Sequence, residues 1–201
     1  MDLFDIIDFE KLKALYKFGR ALHLKDIQTL IKSAHKRSFS QGDYLIQEGD
    51  TKREVFLIRR GLIRAFSLND KGDEITTSLR WENQIVASTD ILLFNEPARQ
   101  YIQALEPCEM LSIDFDLLQS IVSQNPKLEA NRKHLLRAEL KRAYHRINTF
   151  VLLSPEERYI EFVHANPDIL NRVPNKYIAN ILGITPVSLS RIRKRIAAKR
   201  K

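Results

Sequence analysis

The segment Asn175–Arg195, NKYIANILGITPVSLSRIRKR, holds the residues best suited to chemistry in this chain of 201 residues. Ala179 is a small residue, Gly183 is a lone glycine, and Ile178, Leu182, Ile184, Leu189 and Ile192 are apolar residues on either side of it. Two short helices that cross steeply need a small side chain at the crossing, a glycine in the turn and apolar residues that hold the pair to its domain. That is the pattern of a helix-turn-helix unit. Thr185 reads as the N-cap of the second helix and Pro186 as its first residue. At about 100° per residue, Leu189, Ile192 and Ile196 fall on one side, while Val187, Ser190, Arg191 and Lys194 fall on the other. A helix laid in a DNA major groove reads base edges with such a face. Arg191 suits a bidentate contact to guanine and Val187 a thymine methyl, with Ser190 and Lys194 completing the candidate base contacts. Lys176, Thr185, Ser188, Arg193 and Arg195 are the candidate phosphate contacts, which position a protein without reading sequence.

Charge agrees with pattern. The net charge is +8, and nine Lys or Arg residues with no Asp or Glu lie between Ile169 and Lys201. The remainder holds 24 basic against 25 acidic residues, so the whole excess sits at the C-terminal end. A solvated basic tail would give the same charge, and an ordinary helical hairpin the same turn. Basic patches also supply the salt-dependent part of nucleic-acid binding.

The elements that must carry this unit follow from periodicity. Residues 3–35 space their apolar side chains as helices, with a break near Gly19. From Phe39 the pattern becomes β: FSQGDYLIQEGD, EVFLIRRGLIRAFSLNDKGDEITTSLRW, QIVAS and QYIQALEPCEMLSIDF are short runs separated by Gly-Asp and Asn-Asp-Lys-Gly-Asp turns. Regular short strands of this kind predict a β-roll or barrel, with Gly42, Gly49, Gly61 and Gly72 at positions of positive φ. Leu128–Val151 then runs 24 residues without Gly or Pro. Its Leu136, Leu140, Ala143, Tyr144, Ile147 and Val151 recur at three and four, which suits either packing along a neighbour or the seam of a dimer. Ser154 and Pro155 open one more helix. The expected fold is α+β: N-terminal helices and a jelly-roll-like β-roll over 1–125, a long helix over 126–152, and a helix-turn-helix domain over 153–201. "NRVPN" is too short for a strand pair, so an abbreviated or absent wing is expected.

This arrangement resembles the Crp/Fnr family of bacterial transcription regulators, from about Phe39 onward. The resemblance rests on FSQGDYLIQEGD, VFLIRRGLIRAF, QALEPCEMLSI and the helix-turn-helix segment, in that order. It implies a cyclic-nucleotide-binding-type sensor roll, a dimerisation helix and a DNA reader acting on palindromic promoters as a homodimer. Double-stranded DNA is then the main partner, with RNA polymerase and a small-molecule effector as further candidates. A small hinge motion near Leu153–Ser154 would switch binding by changing the spacing of two recognition helices, about 34 Å for half-sites one turn apart. Many relatives carry a charged residue where Val187 stands, which keeps open an alternative: a ligand-binding or protein-interaction module with a degenerate reader.

Members that bind cyclic AMP carry Phe-Gly-Glu-Leu and Arg-Ser/Thr-Ala segments. Here Ile85-Val86-Ala87-Ser88 occupies the first, without the Gly or the Glu, and Ala98 falls at the phosphate-arginine register. Arg99 is offset by one, and strand alternation with Ile102 and Ala104 inward turns it to the surface. Val86, Ala87, Ser88, Ala98 and Arg99 are the candidate ligand-pocket residues, and tight cyclic AMP binding is not expected. One cysteine, Cys108, cannot hold an iron–sulfur cluster, and His23, His35, His134, His145 and His164 are not grouped for haem or a metal. No histidine lies between Lys36 and Lys133, as a metal-binding cupin would need, and no P-loop or nucleophile elbow occurs. No enzyme, cofactor or membrane span is expected. The sparse cysteine and acidic N-terminus predict a reducing, cytoplasmic setting.

Overall fold

A computed structural model describes residues 32–124 and 126–199 of the chain; most of the helical expectation for residues 3–35 lies outside them. Eight strands form first: β1 His35–Phe39, β2 Tyr44–Ile46, β3 Glu54–Arg60, β4 Ile63–Leu68, β5 Glu74–Arg80, β6 Ile85–Val86, β7 Tyr101–Ala104 and β8 Cys108–Asp114. They pair antiparallel in two four-stranded sheets, ordered β1-β8-β3-β6 and β2-β7-β4-β5. Side chains alternate across each strand, so Phe56 and Ile58 of β3, Ile63 and Ala65 of β4, Ile102 and Ala104 of β7 meet in one apolar core between the sheets.

The strand region begins earlier than the sequence pattern suggests. His35 pairs with Ser112 and Phe39 with Cys108, so residues 35–39 are an edge strand and not the end of a helix. Four of its five side chains are exposed, which erases the alternation by which a strand is recognised; ladder hydrogen bonds place it instead. The short π-helical turn Asp90–Phe94 closes on Asn95 at φ 56° and also gives no sequence signal. The turn glycines do adopt positive φ, and at Gly61 the requirement is doubled. Its φ is 113°, and a Cβ there would sit 2.5 Å from Cys108 Sγ.

Five α-helices follow: α1 Phe115–Ser123, α2 Pro126–Leu152, α3 Pro155–Ala165, α4 Asn175–Leu182 and α5 Pro186–Lys199. Asp114 caps α1, accepting the Leu117 N–H at 2.9 Å. Ser154 caps α3 in a reciprocal box, its hydroxyl accepting from Glu157 N while Glu157 accepts from Ser154 N at 2.8 Å. The 27 residues of α2 span about 40 Å. Along it Leu136, Leu140, Tyr144, Ile147 and Val151 are all exposed, a continuous apolar stripe on one face of a solvent-facing helix. No strand occurs among the described residues after Asp114.

A second core joins the C-terminal helices to the outside of the roll. Leu62, between β3 and β4, and Leu79 of β5 are buried with Ile169, Val173, Ile178, Ala179, Leu182 and Leu189. The pair α4–α5 is therefore seated on the β-roll and not suspended from α2 alone.

Candidate nucleic-acid interface

The turn between α4 and α5 is built as its residue types require. Gly183 has φ 65° and donates its N–H to the carbonyls of Ala179 and Asn180, ending α4 in the left-handed conformation that glycine tolerates. A Cβ on Gly183 would lie 2.6 Å from Phe150 Cε1, so α2 packs directly on the turn. Arg158 ties the same corner together, donating to Leu182 O at 3.1 Å and Leu153 O at 2.8 Å with its guanidinium 4.8 Å from the Phe150 ring centre. Thr185 Oγ1 accepts the Ser188 N–H at 3.1 Å, which satisfies a free donor in the first turn of α5.

With the pair so fixed, α5 sorts its side chains by face. Leu189 and Ile192 are 1% and 3% exposed, and Ile196 is half-buried. Val187, Ser190, Arg191 and Lys194 all face solvent. The four candidate base contacts thus share one open surface at the N-terminal two-thirds of the helix, backed by the buried row.

The candidate phosphate contacts divide. Lys176 is exposed at the start of α4. Thr185 and Ser188 bond to each other at the N-terminus of α5, the Thr185 hydroxyl donating to Ser188 Oγ at 3.0 Å. Arg193 is turned inward, donating to Tyr159 Oη at 3.1 Å and Asn175 Oδ1 at 2.6 Å. Arg195 pairs with Glu156 at 2.9 Å while remaining 61% exposed. These two arginines are engaged in holding α5 to its neighbours.

Several residues that shape the site carry no signal in the sequence. Arg172, in the turn before α4, donates to both oxygens of Glu82, at 3.0 and 2.8 Å, and to both oxygens of Glu106. Partial burial pushes the Glu82 carboxyl up, but hydrogen bonds from Arg172 and from the Gly61 N–H outweigh it and hold the pKa below the ordinary value. Its hydrogen bonds to Glu82 and Glu106 raise Arg172 above an ordinary arginine. Arg64 on β4 is 2% exposed, with its guanidinium 4.1 Å from the Phe66 ring centre and 4.3 Å from that of Tyr177 on α4. It donates to Gln103 Oε1 and to Glu74 Oε2, the latter at 2.6 Å. These partners are distant in the chain, so only the fold brings them together.

Inside the roll, the candidate ligand residues lie in apolar surroundings. Val86 and Ala98 belong to the core between the sheets, Ala87 is half-buried, and the buried Ser88 accepts the Ile91 N–H at 3.4 Å. Arg99 points outward, 66% exposed, and pairs with Asp90 at 3.0 Å and Glu96 at 3.2 Å. Ala98, at the register of the family's phosphate arginine, is buried and apolar, so it offers a cyclic phosphate no charge of its own. Cys108 is buried as well, and burial pushes its thiol up to about 11. His145 pairs with Glu161 at 2.6 Å, while His35 and His164 are exposed. No described helix is long and apolar enough to cross a membrane.

Comparison with known proteins places this geometry. Residues 36–125 match the cyclic nucleotide-binding domain. An anaerobic regulatory protein of Haemophilus influenzae is 25% identical over 168 residues, covering 78% of this chain and just under two thirds (65%) of that relative's length. The transcriptional activator protein Anr of Pseudomonas protegens is 28% identical over 186 residues, covering 86% of this chain and 75% of that protein. Among solved structures, a CooA mutant from Carboxydothermus hydrogenoformans superposes with a TM-score of 0.69 at 24% identity, covering 86% of this chain and 79% of that one. That likeness is one of fold. Both of these curated relatives carry regulatory names.

Proposed function

We propose that this chain, a transcriptional regulator of the Crp/Fnr family, grips a two-fold symmetric site on double-stranded DNA as a homodimer, with α5 of each copy in the major groove. One observation carries the reading: Val187, Ser190, Arg191 and Lys194 are presented together on the open face of α5 while Leu189 and Ile192 anchor its back. A helix so mounted has its base-reading side chains fixed by the fold before DNA arrives. Arg191 is the guanine reader, Val187 the thymine-methyl contact, and Ser190 and Lys194 contact neighbouring bases or phosphates. Lys176 and the N-terminus of α5 at Thr185 and Ser188 hold phosphates; a helix N-terminus favours them through its free N–H groups and dipole.

The second copy is supported by α2. Its exposed stripe from Leu136 to Val151 has the three-and-four spacing of a helix–helix seam, and a parallel pair would set two α5 helices on one face of the duplex. Cyclic AMP is not the effector on this reading, because the roll offers Ala98 where the cyclic phosphate needs a cation. An effector of other chemistry and a contact with RNA polymerase belong to the same proposal. The reading is tested by selecting bound duplexes from a random pool and repeating the selection with Arg191→Ala. The variant is expected to lose preference at one base position per half-site, by about 1–3 kcal/mol. An unchanged profile would remove Arg191 as the reader.

A further inference from the structure

We infer that Arg172 is a positioning residue for DNA reading: by clasping Glu82 and Glu106 it fastens α4–α5 to the sensor roll, so that roll and reader move as one body. The inference rests on the DNA-binding reading above and adds a role to a residue that charge alone would assign to DNA. Arg172 stands in the turn just before α4, whereas Glu82 follows β5 and Glu106 lies between β7 and β8. One guanidinium therefore spans two turns of the roll and the entry to the reader.

Three further contacts close the same seam. The Arg64 guanidinium lies between the rings of Phe66 on the roll and Tyr177 on α4. Asn180 of α4 accepts the Thr76 N–H of β5 at 3.3 Å. Beneath them Leu62 and Leu79 share one core with Ile178, Leu182 and Leu189. Swinging α4–α5 away at Leu153–Ser154 would expose that core and strand Arg64, so docking opposes motion at the link between α2 and α3. Flexibility that alters the spacing of two readers is shifted to how two α2 helices meet. The docked arrangement leaves Val187, Ser190, Arg191 and Lys194 open to solvent, so it can present all four to DNA.

The test has one arm with DNA and one without. Binding to a selected duplex is measured across a salt series for the wild type, Arg172→Ala, Arg172→Lys and Glu106→Gln. A positioning role predicts that Arg172→Ala binds about 2- to 30-fold more weakly with an unchanged salt slope, and that the lysine variant recovers part of the loss. A phosphate contact would instead lower the slope by about 1, which would overturn the inference. Glu106→Gln separates the two by sign. Removing a negative charge should tighten DNA binding by charge alone, but positioning predicts weaker binding. In the absence of DNA, amide exchange at Thr76 reads docking directly, because the acceptor of that amide is on α4. Faster exchange in Arg172→Ala and in Glu106→Gln is expected, and unchanged exchange would sink the inference. Wild-type failure to bind any duplex would defeat the proposed function, while the exchange arm would still judge the clasp.

Discussion

Truncating Leu140 to alanine should weaken the dimer by an amount that the exposed stripe of α2 allows to be calculated. Leu140 is 71% exposed in the single chain. Fully burying a leucine side chain is worth about 1.5–3 kcal/mol, and alanine keeps part of that surface. The loss is about 1 kcal/mol per copy on this scale. A two-fold seam contains the side chain twice, so the dimer loses about 2 kcal/mol, or about 30-fold in Kd. Sedimentation equilibrium over a concentration series measures this directly. Leu93→Ala is the control: Leu93 is also exposed, at 57%, but belongs to the turn Asp90–Phe94 of the roll and not to α2, and its variant should match the wild type. Because Leu140 faces solvent in one chain, the variant should leave secondary structure and monomer folding intact. Equal dimer affinity in wild type and Leu140→Ala would refute the seam, as would a wild-type chain that stays monomeric at every concentration.

Two further perturbations address the frame of the reader. Gly183→Ala combines a left-handed backbone, unfavourable for alanine by about 1–2 kcal/mol, with a Cβ placed against Phe150; the thermal midpoint should fall by about 2–8 °C, and an unchanged midpoint would contradict the packing described at this turn. Acid should loosen the seam between roll and reader. The Glu82 carboxyl is held below its ordinary pKa, so its stabilisation is complete above about 4.3, the unfolded value, and is lost as pH falls through the lower folded value. Glu82→Gln should therefore flatten the decline of the thermal midpoint in that acid window, and an identical decline in both proteins would show that Glu82 contributes none of it.

Much of the reader was legible because its requirements are local. Ala179, Gly183, Thr185 and Pro186 each answer a backbone need within a few residues, and Leu189 and Ile192 follow from helical periodicity alone. The turn glycines of the roll were readable for the same reason. Edge strand β1 was hidden because its side chains are almost all exposed, leaving only hydrogen bonds to β8 to define it. The partition of the basic residues was hidden by distance. Arg172, Arg193 and Arg195 look alike in sequence, yet they find Glu82 and Glu106, Tyr159 and Asn175, and Glu156 respectively. Charge counting located the positive end of the molecule, but only tertiary contacts sort its charges: among the described residues Lys176, Arg191 and Lys194 face solvent without such a tie to a neighbouring element.

The central claim, that α5 presents a fixed reading face to duplex DNA, is tested most directly by equilibrium binding to a selected duplex and to a scrambled one over a salt series. Affinity for both should fall steeply as salt rises, with the selected duplex retaining a preference of about 10³-fold or more. Binding that ignores salt, or that treats the two duplexes alike at every salt concentration, would contradict it.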